Sequence, residues 1–260
     1  PDHPFWDAVA DDSVRFFYEN EDRIMANHDE DTVTMAVEAA RDCLRGVNRG
    51  NIGGLYFAST TAPYREKGCA TLIAKPLDLP RDILTADFAH SLRSGTAALL
   101  AAIATVASGQ AEQVLVVAAD QRLGYPRTND EQLFGDGAVA VLVGKRDVKA
   151  TIEDFATHAD EIHDIWRLDS DTFVRSWEDR FVVEQGYVAN MREALRALMK
   201  HADVGPEDVA RAALYSPDER SAIGIARAIG LDAKTQLQDS LIGSIGNCGA
   251  AQALLILVSA

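Results

Sequence analysis

Apolar positions along this chain follow two different spacings in turn. From Asp29 the run Asp-Glu-Asp-Thr-Val-Thr-Met-Ala-Val-Glu-Ala-Ala-Arg-Asp-Cys-Leu sets Val33, Met35, Ala36, Val37, Ala40 and Leu44 largely at helical intervals. Acids ahead of its first turn suit the positive end of a helix, so a helix is predicted here. Gly53 to Ala58 reads as a short buried strand, and Pro63 to Lys67 breaks it before a helix around Ala70 to Lys75. Ile83 to Phe88 reads as another strand. Ser94-Gly95-Thr96 then opens an alanine-rich helix over Ala97 to Ala107, apolar on nearly every side and therefore expected to be buried. Gly109 ends it, and Val114 to Ala119 follows as a central strand covered on both faces. Phe134-Gly-Asp-Gly leads into a further strand that ends at Val143.

The second half echoes the first. Its pattern predicts a long amphipathic helix over Tyr187 to His201, a strand at Ala212 to Tyr215, and a helix from Ser221 to Ile229 stopped at Gly230. Leu254 to Val258 reads as a terminal strand or a buried helix. The opening, Pro1 to Asn27, mixes aromatics with acids and predicts a helix and an irregular connection. Alternating strands and helices imply layered α/β packing with mainly parallel strands.

Composition narrows the chemistry. The 260 residues, 47% of them apolar, suffice for a sizeable core. Forty acidic residues against 25 basic ones give a net charge of −15, which repels nucleic acid and anionic membrane surfaces. Cys43, Cys69 and Cys248 form no C-x-x-C pair or zinc spacing, which fits a reducing compartment and no metal bound by this chain. The longest apolar runs are strand-length, and no secretory pattern opens the chain, so a cytoplasmic location is expected. His158 and His163 with Asp160, Glu161 and Asp164 are read as an exposed acidic helix or loop. Asp136 is read as a turn residue, Cys69 as the start of a helix and Cys248 as packing.

Four segments carry a resemblance to a known family. They are Asp29 to Ala40; Thr85-Ala-Asp-Phe-Ala-His-Ser-Leu-Arg-Ser-Gly-Thr-Ala-Ala-Leu99; Val114 to Asp120 followed by Phe134-Gly-Asp-Gly-Ala-Val-Ala; and Ile242-Gly-Ser-Ile-Gly-Asn-Cys-Gly-Ala-Ala251. In order and spacing they resemble the thiolase superfamily, in its hydroxymethylglutaryl-CoA synthase and ketoacyl-ACP synthase III-like branch. The resemblance implies a five-layer fold of two similar α/β halves, 1–148 and 149–260. No clear first strand precedes the opening helix and the sequence stops in an apolar run, which leaves open that terminal segments are missing.

The second segment is similar to the strand-to-helix elbow that bears the family's acyl-accepting cysteine. A nucleophile on such a turn is lifted clear of the sheet, and the helix N-terminus stabilises a thiolate or oxyanion. Aligned from Asp87, that position is Leu92, which cannot be acylated. Ser91 and His90 precede it; Ser91 is the candidate substitute nucleophile, and the plainer reading has both bonding to nearby backbone. By resemblance, the acid/base glutamate becomes Thr60, and the family's histidine becomes Tyr215 or Asp218 according to which branch is matched. Asn247 is retained, and its side-chain N–H can polarise a thioester carbonyl.

What remains is aldol or retro-aldol chemistry on an acyl-CoA, which needs no acyl-enzyme. Tyr215, Asp218 or His90 would be the base, and Trp166 and Arg167 would contact the CoA nucleotide, with plain packing as the other reading of Trp166. Coenzyme A enters as part of the substrate and no cofactor is bound permanently. The competing expectations are a catalytically silent subunit that scaffolds a partner, and an acyltransferase using a displaced residue. The resemblance also implies a homodimer and a possible zinc-ribbon/OB-fold partner protein.

Overall fold

In the computed structural model, which describes residues 23–146 and 148–260, the first helical pattern forms α1, Thr32–Cys43. Asp31 caps it by accepting from the Val33 and Thr34 amides, and the Thr34 hydroxyl accepts in return from the Asp31 amide. The sequence then forms β1 (Ile52–Ala58), α2 (Cys69–Ala74), β2 (Leu84–Phe88), α3 (Ser94–Ala107), β3 (Gln113–Asp120), α4 (Asn129–Leu133) and β4 (Gly137–Gly144). The sheet order is β2-β1-β3-β4; β1 runs parallel to β2 and β3, and β4 is antiparallel to β3.

Alternation along the strands builds a core on each face. Leu55, Phe57, Leu115 and Val117 pack with α1 and α2. Tyr56, Val114, Val116 and Ala118 pack with α3 and with the last helix. The Tyr56 hydroxyl pairs with Thr105 Oγ1 at 2.7 Å, which satisfies both polar groups in that layer's interior.

Beyond β4 the described chain is more open. A hairpin of β5 (Ile165–Trp166) and β6 (Arg175–Ser176) is followed by α5 (Asp179–Phe181), a π-helical stretch at Val182–Val188, and α6 (Ala189–Ala202). Then come α7 (Glu219–Ala228), α8 (Ile242–Ile245) and α9 (Gln252–Ser259).

Two expectations change. Ala212 to Tyr215 forms one bridge, Ala212 to Leu237, because a strand exists only where a neighbour supplies its hydrogen bonds. The alanine-rich helix α3 buries a single stripe (Ser94, Gly95, Ala98, Ala102, Val106) and leaves Thr96 and Ala104 exposed, since the sheet covers one side of it. The acidic histidine segment takes the second of its two expected forms, a loop, with no helix from 151 to 164. The final apolar run is helical. The opening helix expected within Pro1 to Asn27 lies almost wholly outside the described residues. Among the described residues no helix is long and apolar enough to cross a membrane, and no cluster of His, Cys, Asp or Glu could hold a metal.

Candidate functional site

The parallel strands β1, β2 and β3 end together at Ala58, Phe88 and Asp120, and the loops that follow them line a cleft of about 1000 Å³. Carboxyl ends of parallel strands are where α/β sheets place ligands. Its lining includes Thr60, His90, Ser91 and Leu92, together with Arg122 and, from β5 and the residue after it, Trp166 and Arg167.

The elbow after β2 is built by backbone geometry. His90 takes a φ of +67°, the left-handed region, which turns the chain out of the strand. The Ser94 amide donates to the Ser91 carbonyl, and α3 begins there. Ser91 Oγ accepts from the Arg93 amide at 3.3 Å, the plainer role expected for it. A Cβ on Gly95 would strike the Ala250 carbonyl, so the helix start sits directly on the loop that carries Asn247.

Asp120, fully buried at the end of β3, joins these parts. Its carboxylate accepts from Ser59 Oγ, the Thr60 amide and hydroxyl, Thr61 Oγ1 and the Ala250 amide at 2.6 to 3.0 Å. Thr60, at the position the resemblance gives to an acid/base glutamate, therefore donates its hydroxyl to a buried carboxylate. Charge-assisted bonds of this kind hold a loop firmly.

Asn247 is buried beside Phe134, its amide donating to the Leu133 carbonyl and its Oδ1 accepting from the Gly249 amide. That last bond fixes which way the side-chain amide faces. Gly246 and Gly249 both take positive φ around it, at +82° and +57°. Cys248 is fully buried, and burial, reinforced by Asp136 and Asp120, pushes its thiol up to about 12. It stays protonated and is no nucleophile at neutral pH. Asp136 accepts from the Ala26 amide, and burial raises its carboxyl above the ordinary value.

The remaining candidates are dispersed. Asp218 caps α7, accepting from the Ser221 amide and hydroxyl. The Tyr215 carbonyl accepts from the Tyr187 hydroxyl at 2.7 Å, and burial lifts that phenol to about 12. Tyr215, Asp218 and Asn247 are not among the residues lining the cleft, whereas His90, Ser91, Leu92, Trp166 and Arg167 are. Arg167 donates to the Thr60 carbonyl at 2.8 Å, and Trp166 packs its ring 4.7 Å from His163.

A model of the 3-oxoacyl-[acyl-carrier-protein] synthase III family matches residues 86–161, which hold the elbow, β3 and β4. The chain is 31% identical over 231 residues to a hydroxymethylglutaryl-CoA synthase of Thermococcus sibiricus, covering 87% of this chain and 66% of that protein. It is also 31% identical over 237 residues to a hydroxymethylglutaryl-CoA synthase of Methanocella arvoryzae, covering 91% of this chain and 67% of that one. The chain belongs to the thiolase superfamily, in the branch of these synthases. A crystal structure of HMG-CoA synthase complexed with CoA superimposes with a TM-score of 0.82 at 23% identity, over 90% of this chain and 63% of that one. The α/β architecture is thus the thiolase-like fold. The chain spans about two thirds of the length of the first of these relatives.

Within that fold, sequence reasoning missed Asp120 and Arg122. A carboxylate directly after an apolar run covered on both faces is a readable signal for the first. No spacing in the sequence singles out the second.

Proposed function

We propose that this thiolase-superfamily chain makes or cleaves a carbon–carbon bond in an acyl-CoA by an aldol or retro-aldol step, without a covalent acyl-enzyme. The observation that carries the reading is that Leu92 lines the cleft at the elbow and no cysteine lines it. In the retro-aldol direction a base takes the β-hydroxyl proton and the Cα–Cβ bond breaks. The electron pair passes into the thioester enolate, which is then protonated at Cα. His90 is the base candidate that lines the cleft; Tyr215 and Asp218, the other base candidates, and Asn247, the candidate donor to the enolate oxygen, lie outside its lining. Trp166 and Arg167 contact the CoA nucleotide, and coenzyme A enters as substrate. The chain acts as a homodimer, with a zinc-ribbon/OB-fold protein as a possible partner.

The second reading is a silent scaffold subunit, favoured by the number of polar groups already committed to the fold: Ser59, Thr60, Thr61 and Asp218. The test combines turnover of β-hydroxyacyl-CoA thioesters with intact mass after exposure to acyl-CoA. Turnover that is lost in Asn247→Ala, with no mass gain, supports the proposal. A stable acyl adduct on Ser91 would favour a displaced-nucleophile acyltransferase, and absence of CoA binding would leave the scaffold.

A further inference from the structure

Arg122 is 5% exposed, yet it lines the cleft. Its guanidinium lies 4.0 Å over the Phe134 ring. Its stem passes beside the Asp120 carboxylate, whose oxygens are taken by other donors, and its charge acts on the Asp130 carboxyl, but among the described residues neither forms an ion pair with it. The other cations of the cleft differ. Arg65 pairs with Asp169, Arg167 is bonded to the Thr60 carbonyl, and Lys67 is exposed. A guanidinium removed from water without a directly bonded carboxylate is a costly arrangement, which contact with an aromatic face offsets only in part. Its side chain also holds a defined course, because a Cβ on Gly249 would lie 2.7 Å from Arg122 Cδ; glycine there lets the stem pass. That course runs beside the Asp120 carboxylate and against Gly249, which follows Asn247 by two residues.

We propose that Arg122 is the anion-binding residue of the cleft and that it receives a carboxylate carried on the acyl part of the substrate. The inference rests on the acyl-CoA reading above. Arg122's planar fork of donors matches a carboxylate, and its burial suits a small group at the end of an acyl chain. The bulkier phosphates of CoA suit the exposed cations at the mouth.

Titration calorimetry with succinyl-CoA and butyryl-CoA, which differ by carboxylate against methyl, tests this on the full chain. Arg122→Met weakens succinyl-CoA binding roughly 10- to 100-fold and butyryl-CoA binding less than about threefold. Retained butyryl-CoA binding shows that the variant folds, and Arg122→Lys keeps part of the preference. Equal loss for both thioesters, which would place Arg122 on the CoA phosphates or in the scaffold, overturns the proposal, as does no loss at all. If the native chain binds neither thioester, the acyl-CoA reading fails, and a thermal melt with free glutarate decides Arg122 alone. Stabilisation by glutarate that Arg122→Met abolishes keeps the anion site, and no stabilisation removes it.

Discussion

Between Ile52 and Gly144 every strand lies against another, whereas from 151 to 240 the described chain pairs strands only in a two-residue hairpin and at one bridge. The first region buries β3 along almost its whole length; in the second, α6 has no fully buried residue. Both regions contain good helices, since a helix satisfies its backbone internally. Only the first contains a sheet with a core on both faces, and the cleft lies at its end. The contrast teaches that the rigid side of the site is the sheet and its elbow, against which the Trp166–Arg167 hairpin is laid.

The strongest way to break this picture is at Asp120. Asp120→Ala leaves five donors without their acceptor and is expected to lower stability by about 3–5 kcal/mol, read from urea unfolding. A loss below about 1 kcal/mol would show that the network does not hold the two loops. Gly95→Ala drives a methyl into the Ala250 carbonyl and is expected to cost about 1–3 kcal/mol, again by urea. An unchanged midpoint would mean that the elbow and the Asn247 loop give way easily. Amide exchange then compares the halves directly: β3 should exchange near the global unfolding limit and residues 151–164 far faster. Similar protection in both would erase the distinction.

A smaller effect concerns pH. Asp136 has a folded value raised above its ordinary 3.8 by burial, so the native state binds its proton more tightly than the unfolded chain. This contribution to stability is full below 3.8 and is lost as pH rises through the raised folded value. Asp136→Asn should flatten that fall in a series of thermal melts, and an unaltered pH profile would refute it. Asp130, also raised by burial, adds a slope of the same sign. Smallest of all, Cys248 should resist alkylation near pH 8 in the native protein and react on unfolding, given its burial and a thiol pushed up to about 12. Labelling of the folded chain would reopen it as a nucleophile.

Much of the fold was legible because its signals are local. The cap at Asp31, the glycine stop at Gly109 and the apolar runs of β1 and β3 each announce an element within a few residues. Ala212 to Tyr215 looks equally strand-like, and what it lacks is a neighbour. Among the site residues, the sequence pointed to His90, Ser91 and Leu92 as one turn, and they do line one cleft. It could not tell that Asp218 caps a helix, or that Thr60 donates to a carboxylate sixty residues away.

The chain's periodicity by itself determined the longer amphipathic helices, the central strands and the glycine-rich turns, because these depend on neighbours along the backbone. Tertiary structure alone decided which polar groups are free to meet a ligand. Asp120 gathers donors from β1's loop and from Ala250, Cys248 is buried, and Arg122 is buried against the Phe134 ring without an ion pair among the described residues. Each of these outcomes depends on burial and on partners far apart in sequence, which no local pattern records.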